Sequence, residues 1–391
     1  MTGYSEQTAR VGIVIPTLEA LGGAERMAMR LAEGLVARGW QVTMVMLSGT
    51  GDAALAAWSR SSGVGVVSLG MRKAWIDPRG WRRFRAWQRE FAPQILHGHL
   101  AHGAWFCRMT RVLGVGGLGM GGSRLGIVDT LHSTRVGGRW RRRLYRATAW
   151  ATDCVTAVSD AVRVAAMEAG LHAGEIRVVR NGVDALLDTQ VDALPEAGRQ
   201  EHAGFRWLAM GRLEPVKAYP RLLRAFAQVV AGGTGAVELH VLGEGSERAK
   251  LETMAAALGV AERVHWHGFQ PQPERMLAHC DAVVLASQWE GLPLCLLEAG
   301  AAGVPAVATA TAGAREVLTD GETGWLVPLD DADGDGLAEV MLRLMAGNTA
   351  ARAAMGERAR RRVLGEFGSE RMVAGYAAIY AEICGRRSRR A

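Results

Sequence analysis

Short apolar runs rich in β-branched residues recur along the whole chain, separated by segments whose apolar positions follow a helical period. In the first half these runs are VGIVIP (11–16), QVTMVML (41–47), GVGVVSL (63–69), ILHGHL (95–100), GIVDTLH (126–132), CVTAVS (154–159) and IRVVRNG (176–182). After a polar stretch without strong periodicity the alternation resumes with FRWLAMG (205–211), VELHVLGEG (237–245), VHWHGF (264–269), AVVLAS (282–287), PAVAT (305–309) and GWLVPL (324–329). Strands alternating with helices predict a parallel, doubly wound sheet, and runs that are apolar throughout predict cover on both of its faces. Two such halves predict an α/β protein of two similar domains with a cleft between them, its ligands lying beyond the carboxyl ends of the strands.

The length agrees, because 391 residues exceed the roughly 250–300 at which one core stops growing. The predicted division is an N-terminal domain over 1–190, a linker over 191–203, a C-terminal domain over 204–370, and a helix with a basic tail over 371–391. Five scattered cysteines, never spaced as CxxC, suggest neither a disulfide framework nor a zinc site and fit a reducing compartment. MTGYSEQTAR lacks the apolar core of a signal peptide, and no run approaches the ~18 apolar residues of a spanning helix, so the expectation is a cytoplasmic, unembedded protein. Charge is uneven: residues 1–202 carry 25 Lys and Arg against 17 Asp and Glu, whereas residues 203–391 carry 21 against 22. An acidic partner is therefore expected at the N-terminal half, with nucleic acid or an anionic membrane surface as candidates.

The densest candidate chemistry lies in WEGLPLCLLEAG (289–300), where Glu290 and Glu298 bracket a run of almost pure hydrocarbon. Pro293 suits the first turn of a helix. The amides of Gly291, Leu292, Leu294 and Cys295 then gather at a helix N-terminus, where phosphate binds readily. Carboxylates would repel phosphate, so Glu290 and Glu298 are expected to accept hydrogen bonds from hydroxyls, such as those of sugars flanking a diphosphate. A buried helix with a charge at each end explains the spacing as well.

In AMGRLEPVKAYP (209–220), Arg212 and Lys217 follow a strand and could both reach an anion, the first as a planar fork and the second as a point charge. Only Lys73, Lys217 and Lys250 are lysines among 46 cationic residues, which makes a lysine in this loop unusual, although a surface charge at a helix start is the alternative. Gly22 and Gly23 follow the first strand without forming GxGxxG; they permit close backbone approach and say little more.

His97, His99 and His102 cluster at the end of one strand without a carboxylate, which favours cleft lining over metal ligation, and His132 ends the next as a contact for a substrate hydroxyl. DADGDG (331–336) begins like a calcium loop but has Leu342 where a bidentate Glu is needed, so it reads as the acidic start of a helix. RKAWIDPRGWRRFRAWQREF (72–91) and RWRRRLYR (139–146) interleave Arg with Trp. They suit an anionic membrane interface, a single-stranded nucleic acid platform, or helices whose Trp faces the core; the first is carried forward as an expectation and nucleic acid is not.

Taken in order, GGAER, HGHLAHG, LHST, VSD, NGVD, GRLEPVK, GEG, HGF and SQWEGLPLCLLEA resemble the retaining glycosyltransferases of family 4 over nearly the whole chain, the Glu290 to Glu298 spacing being the most specific. The resemblance implies the GT-B architecture: two facing Rossmann-like, doubly wound parallel-sheet domains with an interdomain cleft. It further implies that Glu298 holds ribose hydroxyls and Glu290 the donor sugar, while Arg212, Lys217 and the amides around Leu294 and Cys295 neutralise the diphosphate. Gly22 and Gly23 would wall the phosphates, and His132 would touch the donor sugar. The implied reaction moves a hexosyl unit from a nucleoside-diphosphate sugar, a UDP-sugar in the first instance, to a glycan or lipid-linked acceptor with retention, without metal or other cofactor. Two departures stand out: Ala218 where the family often has glycine after the lysine, and Pro293, which removes one amide. A GT-B-fold epimerase or phosphorylase, or a non-catalytic nucleotide-sugar or glycan-binding protein, are the competing expectations.

Overall fold

A computed structural model describes residues 9–19, 21–71, 77–114, 125–135, 138–172, 174–185, 204–233 and 235–388. The expected linker 191–203, the start of the first Arg/Trp segment (72–76) and the end of the basic tail (389–391) lie outside the described residues. The chain forms two compact units, one of Met1–Asn181 with Ser369–Ala391 and the other of Gly182–Gly368.

The first unit is built on a sheet of seven strands: β1 (Arg10–Ile15), β2 (Gln41–Met46), β3 (Gly65–Ser68), β4 (Ile95–His99), β5 (Gly126–Leu131), β6 (Cys154–Ala157) and β7 (Ile176–Val178). Their order is β3-β2-β1-β4-β5-β6-β7, with every pairing parallel. The second unit repeats the scheme with β8 (Phe205–Met210), β9 (Val237–Leu242), β10 (Val264–Gly268), β11 (Ala282–Leu285), β12 (Ala306–Thr309) and β13 (Trp325–Val327), ordered β10-β9-β8-β11-β12-β13 and again parallel. Each strand forms on one of the apolar runs. Strand order reverses between β1 and β4 and between β8 and β11, which opens a crevice at the carboxyl ends of those pairs.

The central strands are buried on both faces, as in β1, β4 and β11. Strands β9 and β10 depart from that expectation: Val237, Leu239 and Val241 enter the core, whereas Glu238 and His240 share the opposite face and remain partly exposed. The helix Pro78–Phe91 resolves the first Arg/Trp segment in favour of the core. Phe84 and Trp87 are buried, Trp81 stacks on Phe106 at 4.6 Å between ring centroids, and Trp87 stacks on Phe91 at 5.3 Å. The rings of this helix are thus placed in the core, where their burial stabilises the fold. In the second segment, helix Arg139–Ala147, Tyr145 is buried but Trp140 stands 63% exposed.

Asp331 accepts the amides of Gly336 and Leu337 at 3.0 Å each, so DADGDG serves as the acidic start of helix Asp335–Ala346. The last helix, Ser369–Ser388, returns to the first unit and packs on helix Gly23–Ala37, where Gly34 leaves no room for a β-carbon beside Val373. Arg177 on β7 pairs with Glu382 of the same helix at 2.5 Å. Among the described residues no helix is long and apolar enough to cross a membrane.

Candidate active site

In the second unit the chemistry gathers in the loops after β8, β9, β10, β11 and β12. After β8 the chain makes a 3-10 turn at Pro215–Lys217 and passes through Ala218, at φ 48 and ψ 42, into helix Tyr219–Ala231. The left-handed backbone that glycine adopts without strain is taken here by an alanine, at a cost of about 1 kcal/mol. The turn brings Lys217 against the loop after β11: its Nζ lies 2.6 Å from Glu290 Oε1, the two side chains being 18% and 13% exposed. Burial works against the lysine charge, yet the Glu290 carboxylate overrides it and holds the ammonium pKa above its ordinary value. Ser287 donates to the same Glu290 oxygen at 2.6 Å, and the Ser287 carbonyl is fixed by Thr309 Oγ1 at 2.6 Å. Gln288 N donates to Val216 O at 2.9 Å, tying the two loops together through the backbone.

Glycines make this packing feasible. A β-carbon at Gly243, where φ is 141, would overlap Gly211 O, and one at Gly313 would lie 2.6 Å from Gly291 O. The loops after β9 and β12 thus press against those after β8 and β11 with backbone alone. Glu214 is tethered to the loop after β9 by Ser246, whose amide and hydroxyl hold its carboxyl below the usual range.

Pro293 is the N-cap of helix Leu294–Ala301, so Gly291, Leu292, Leu294 and Cys295 stand at a helix N-terminus, whose first N–H groups find no partner within the helix. That helix is buried all round except at Glu298, which is partly exposed. Arg212 is exposed, and close enough to Lys217 for its charge to oppose that of the lysine. The structure therefore brings Lys217, Glu290 and the amides around Leu294 together, with Arg212 nearby and Glu298 one turn further into the helix. It shows Lys217 engaged by Glu290.

In the first unit, Gly22 is the N-cap and Gly23 the first residue of helix Gly23–Ala37, with Gly22 N donating to Glu25 Oε2 at 3.1 Å. Neither has positive φ; the gain at Gly22 is close approach by the Glu25 carboxylate. The histidine trio is rearranged. His102 is exposed, and His132 takes its place in a chain with His97 and His99: His99 Nδ1 lies 3.0 Å from His132 Nε2, and His99 Nε2 lies 3.3 Å from His97 Nδ1. His97 also meets Tyr380 OH and Thr130 Oγ1 at 2.6 Å each, and Thr130 joins Thr156 and Tyr376. The backbone turns sharply after His99, where Leu100 takes φ 60, a costly conformation for a bulky residue at the β1/β4 crevice.

Burial pushes His97 down to about 3 and His132 to about 4; His99 falls well below 6.5 through burial first and its histidine neighbours second. All three are neutral at pH 7, so His132 offers an imidazole N–H or lone pair rather than a charge. An unfolded histidine titrates near 6.5, so the stability from keeping these rings neutral is complete above pH 6.5 and is lost as pH falls toward the folded values. At pH 5 the loss for His97, 0% exposed, is about 2 kcal/mol. Thermal unfolding of the full chain should therefore show a falling midpoint from pH 7 to 5, flattened in His97→Gln; an unchanged slope in that variant contradicts the assignment.

Sequence reasoning missed Ser287, which fixes Glu290, and the role of Gly243 and Gly313. A signal was present, since glycine or serine follows most of the strand runs of this unit, but which loops meet is decided by strand order.

Two family profiles match, one described as Glycosyltransferase Family 4 over residues 21–185 and one as Glycosyl transferases group 1 over residues 195–362. The chain is 31% identical over 269 residues to N-acetyl-alpha-D-glucosaminyl L-malate synthase of Bacillus anthracis, covering 67% of this chain and 69% of that protein. It is 31% identical over 239 residues to the lipopolysaccharide core biosynthesis glycosyltransferase LpsE of Rhizobium meliloti, covering 59% of this chain and 64% of the relative, just under two thirds of its length. Among solved structures, Anabaena HepE in complex with UDP and glucose superimposes with a TM-score of 0.78 at 18% identity, over 96% of this chain and 100% of that one. Sucrose-phosphate synthase from Thermosynechococcus elongatus does so with a TM-score of 0.78 at 20% identity, over 97% and 100%. Two doubly wound parallel-sheet units of this kind are the GT-B architecture. The chain belongs to glycosyltransferase family 4.

Proposed function

We propose that this enzyme transfers a hexosyl unit from a nucleoside-diphosphate sugar, UDP-linked in the first instance, to a glycan or lipid-linked acceptor with retention of anomeric configuration. The observation that carries the reading is the mostly buried Lys217–Glu290 pair, at 2.6 Å, set beside a helix N-terminus in the β8/β11 crevice. A diphosphate placed there meets Lys217, Arg212 and the amides of Gly291, Leu292, Leu294 and Cys295, which supply the positive charge the leaving group needs, so the reading calls for no metal ion. Glu290, held by Ser287, accepts from donor-sugar hydroxyls, and Glu298 accepts from the ribose. His132 touches the donor sugar, and Gly22 and Gly23 wall the phosphates. The anomeric carbon loses its bond to the β-phosphate oxygen as the acceptor oxygen bonds to the same face, and the acceptor proton passes to the departing phosphate.

The donor class is supported by the relative solved with UDP and glucose. The acceptor class is supported by the lipopolysaccharide-core relative, and by Trp140, exposed beside Arg139 and Arg143 on a basic helix suited to an anionic membrane face. A thermal-shift panel of UDP, GDP and ADP tests the reading: UDP at 100 times its Kd should add about 2.7 kcal/mol of stability, and Glu298→Gln should remove most of that gain. Absence of any shift at millimolar nucleotide overturns the donor assignment; a shift without transfer to any acceptor points to a non-catalytic binding protein.

A further inference from the structure

We propose that Glu238, His240 and His265 form a divalent-metal site of zinc type on the outer face of the second sheet, at its β9–β10 edge. β9 and β10 are adjacent parallel strands in which His265 stands opposite His240, and Glu238 lies two residues before His240 on the same face. One ligand atom from each of the three residues falls within 4.8 Å of the other two. His240 Nε2 is 3.3 Å from Glu238 Oε2, and His265 Nε2 is 3.6 Å from Glu238 Oε1. Bonds of about 2.0–2.1 Å in a tetrahedron put neighbouring ligand atoms about 3.3–3.4 Å apart, so both carboxylate–imidazole contacts are already near that spacing, and side-chain rotation would bring the two imidazoles to it.

Two further observations point to a ligand. His265 Nε2 is buried and makes no hydrogen bond among the described residues, although it is aimed at the Glu238 carboxylate. His240 Nδ1 lies 2.9 Å from His267 Nε2 on β10. With the proton on His240 Nδ1, that contact fixes the ring and leaves the Nε2 lone pair facing Glu238 and His265, the arrangement that orients metal-bound imidazoles. Two imidazoles and one carboxylate leave a fourth position for water. Arg206 Nε, 3.5 Å from Glu238 Oε2, competes for the carboxylate and limits the affinity.

The ion would pin edge strand β10 to β9. Gly268, the last residue of β10, accepts Gly243 N at 2.7 Å, so the clamp would steady the loop after β9 that packs on Gly211. The inference is independent of the reaction proposed above, because none of these residues is assigned to the donor.

The test titrates the full chain, freed of metal by chelator and dialysis, with Zn2+ by calorimetry and with Co2+ by visible absorption. One equivalent should bind at micromolar concentration, and Co2+ should give the intense bands of four-coordinate cobalt. His265→Gln, at a half-exposed position, should abolish both signals, and His267→Leu should weaken binding about 10- to 100-fold through loss of the His240 contact. Circular dichroism and the metal-free melting temperature check that each variant is folded; Glu238→Gln provides a second removal should His265→Gln fail. Undiminished stoichiometric binding in the folded variants, or no binding by the parent below about 100 μM, a concentration at which the free energy is only about 5.5 kcal/mol, overturns the proposal.

Discussion

Lys217→Ala is expected to lower kcat by about 10²- to 10³-fold, the usual loss when one fixed group facing developing transition-state charge is removed. The donor KM should move by only a few-fold, because the ammonium acts mainly on charge that appears as the phosphate departs. Lys217 suits the role proposed for it: Glu290 at 2.6 Å keeps it protonated despite its burial. Glu298→Gln should show the opposite split, a raised KM with kcat nearly kept, since the ribose contact proposed for it would be made alike in ground and transition states. A Lys217→Ala enzyme that turns over at the parent rate would remove the lysine from the mechanism. Melting curves guard against a structural artefact, since the substitution also strips Glu290 of its cation and leaves Ser287 donating to it.

Arg108→Met is expected to cost about 3–5 kcal/mol of folding stability, the loss seen when one partner of a buried ion pair is removed. Arg108 Nε donates to Asp129 Oδ2 at 2.6 Å with both side chains 0% exposed. The guanidinium also donates to the Tyr145 carbonyl at 2.7 Å and lies 4.1 Å over the Tyr145 ring. Burial raises the Asp129 pKa even against the Arg108 charge, so the carboxylate left behind would protonate at a further penalty. The pair is incompletely satisfied, with Arg108 Nη2 and Asp129 Oδ1 buried without hydrogen-bond partners among the described residues. The double variant Arg108→Met/Asp129→Leu should therefore recover most of the loss. Urea unfolding of the singles and the double decides it; a single-variant loss under about 1 kcal/mol would mean the pair is reached by water and worth no more than a surface bridge.

Strands were the most legible part of the chain, because burial on both faces demands an uninterrupted apolar run, and each such run became a strand within a residue or a few of its expected end. The site was legible where spacing along one segment sufficed. Glu290 and Glu298 belong to one loop and helix, so the Pro293 helix start could be read directly from WEGLPLCLLEAG. Contacts between segments were not. Nothing near Lys217 announces Glu290, 73 residues away; the pairing follows from β8 lying beside β11. The histidines show the same limit: HGHLAH places three on one segment, but alternation along β4 and the sharp turn at Leu100 send His102 outward, and His132, the residue after β5, joins instead. The Arg/Trp helices could not be told apart by composition, since which face of each helix meets a core depends on neighbours such as Phe106.

The return of helix Ser369–Ser388 to the first unit bears on how the protein is made. His97 and Thr130 have their Tyr380 and Tyr376 partners on that helix, so a nascent chain holds these buried polar groups without their tyrosine partners until the helix is synthesised. The second unit, continuous from Gly182 to Gly368, is complete before that point. Folding on the ribosome should thus finish in the reverse of the order in which the two sheets emerge, with the first unit waiting, and most exposed to chaperones, until helix Ser369–Ser388 docks.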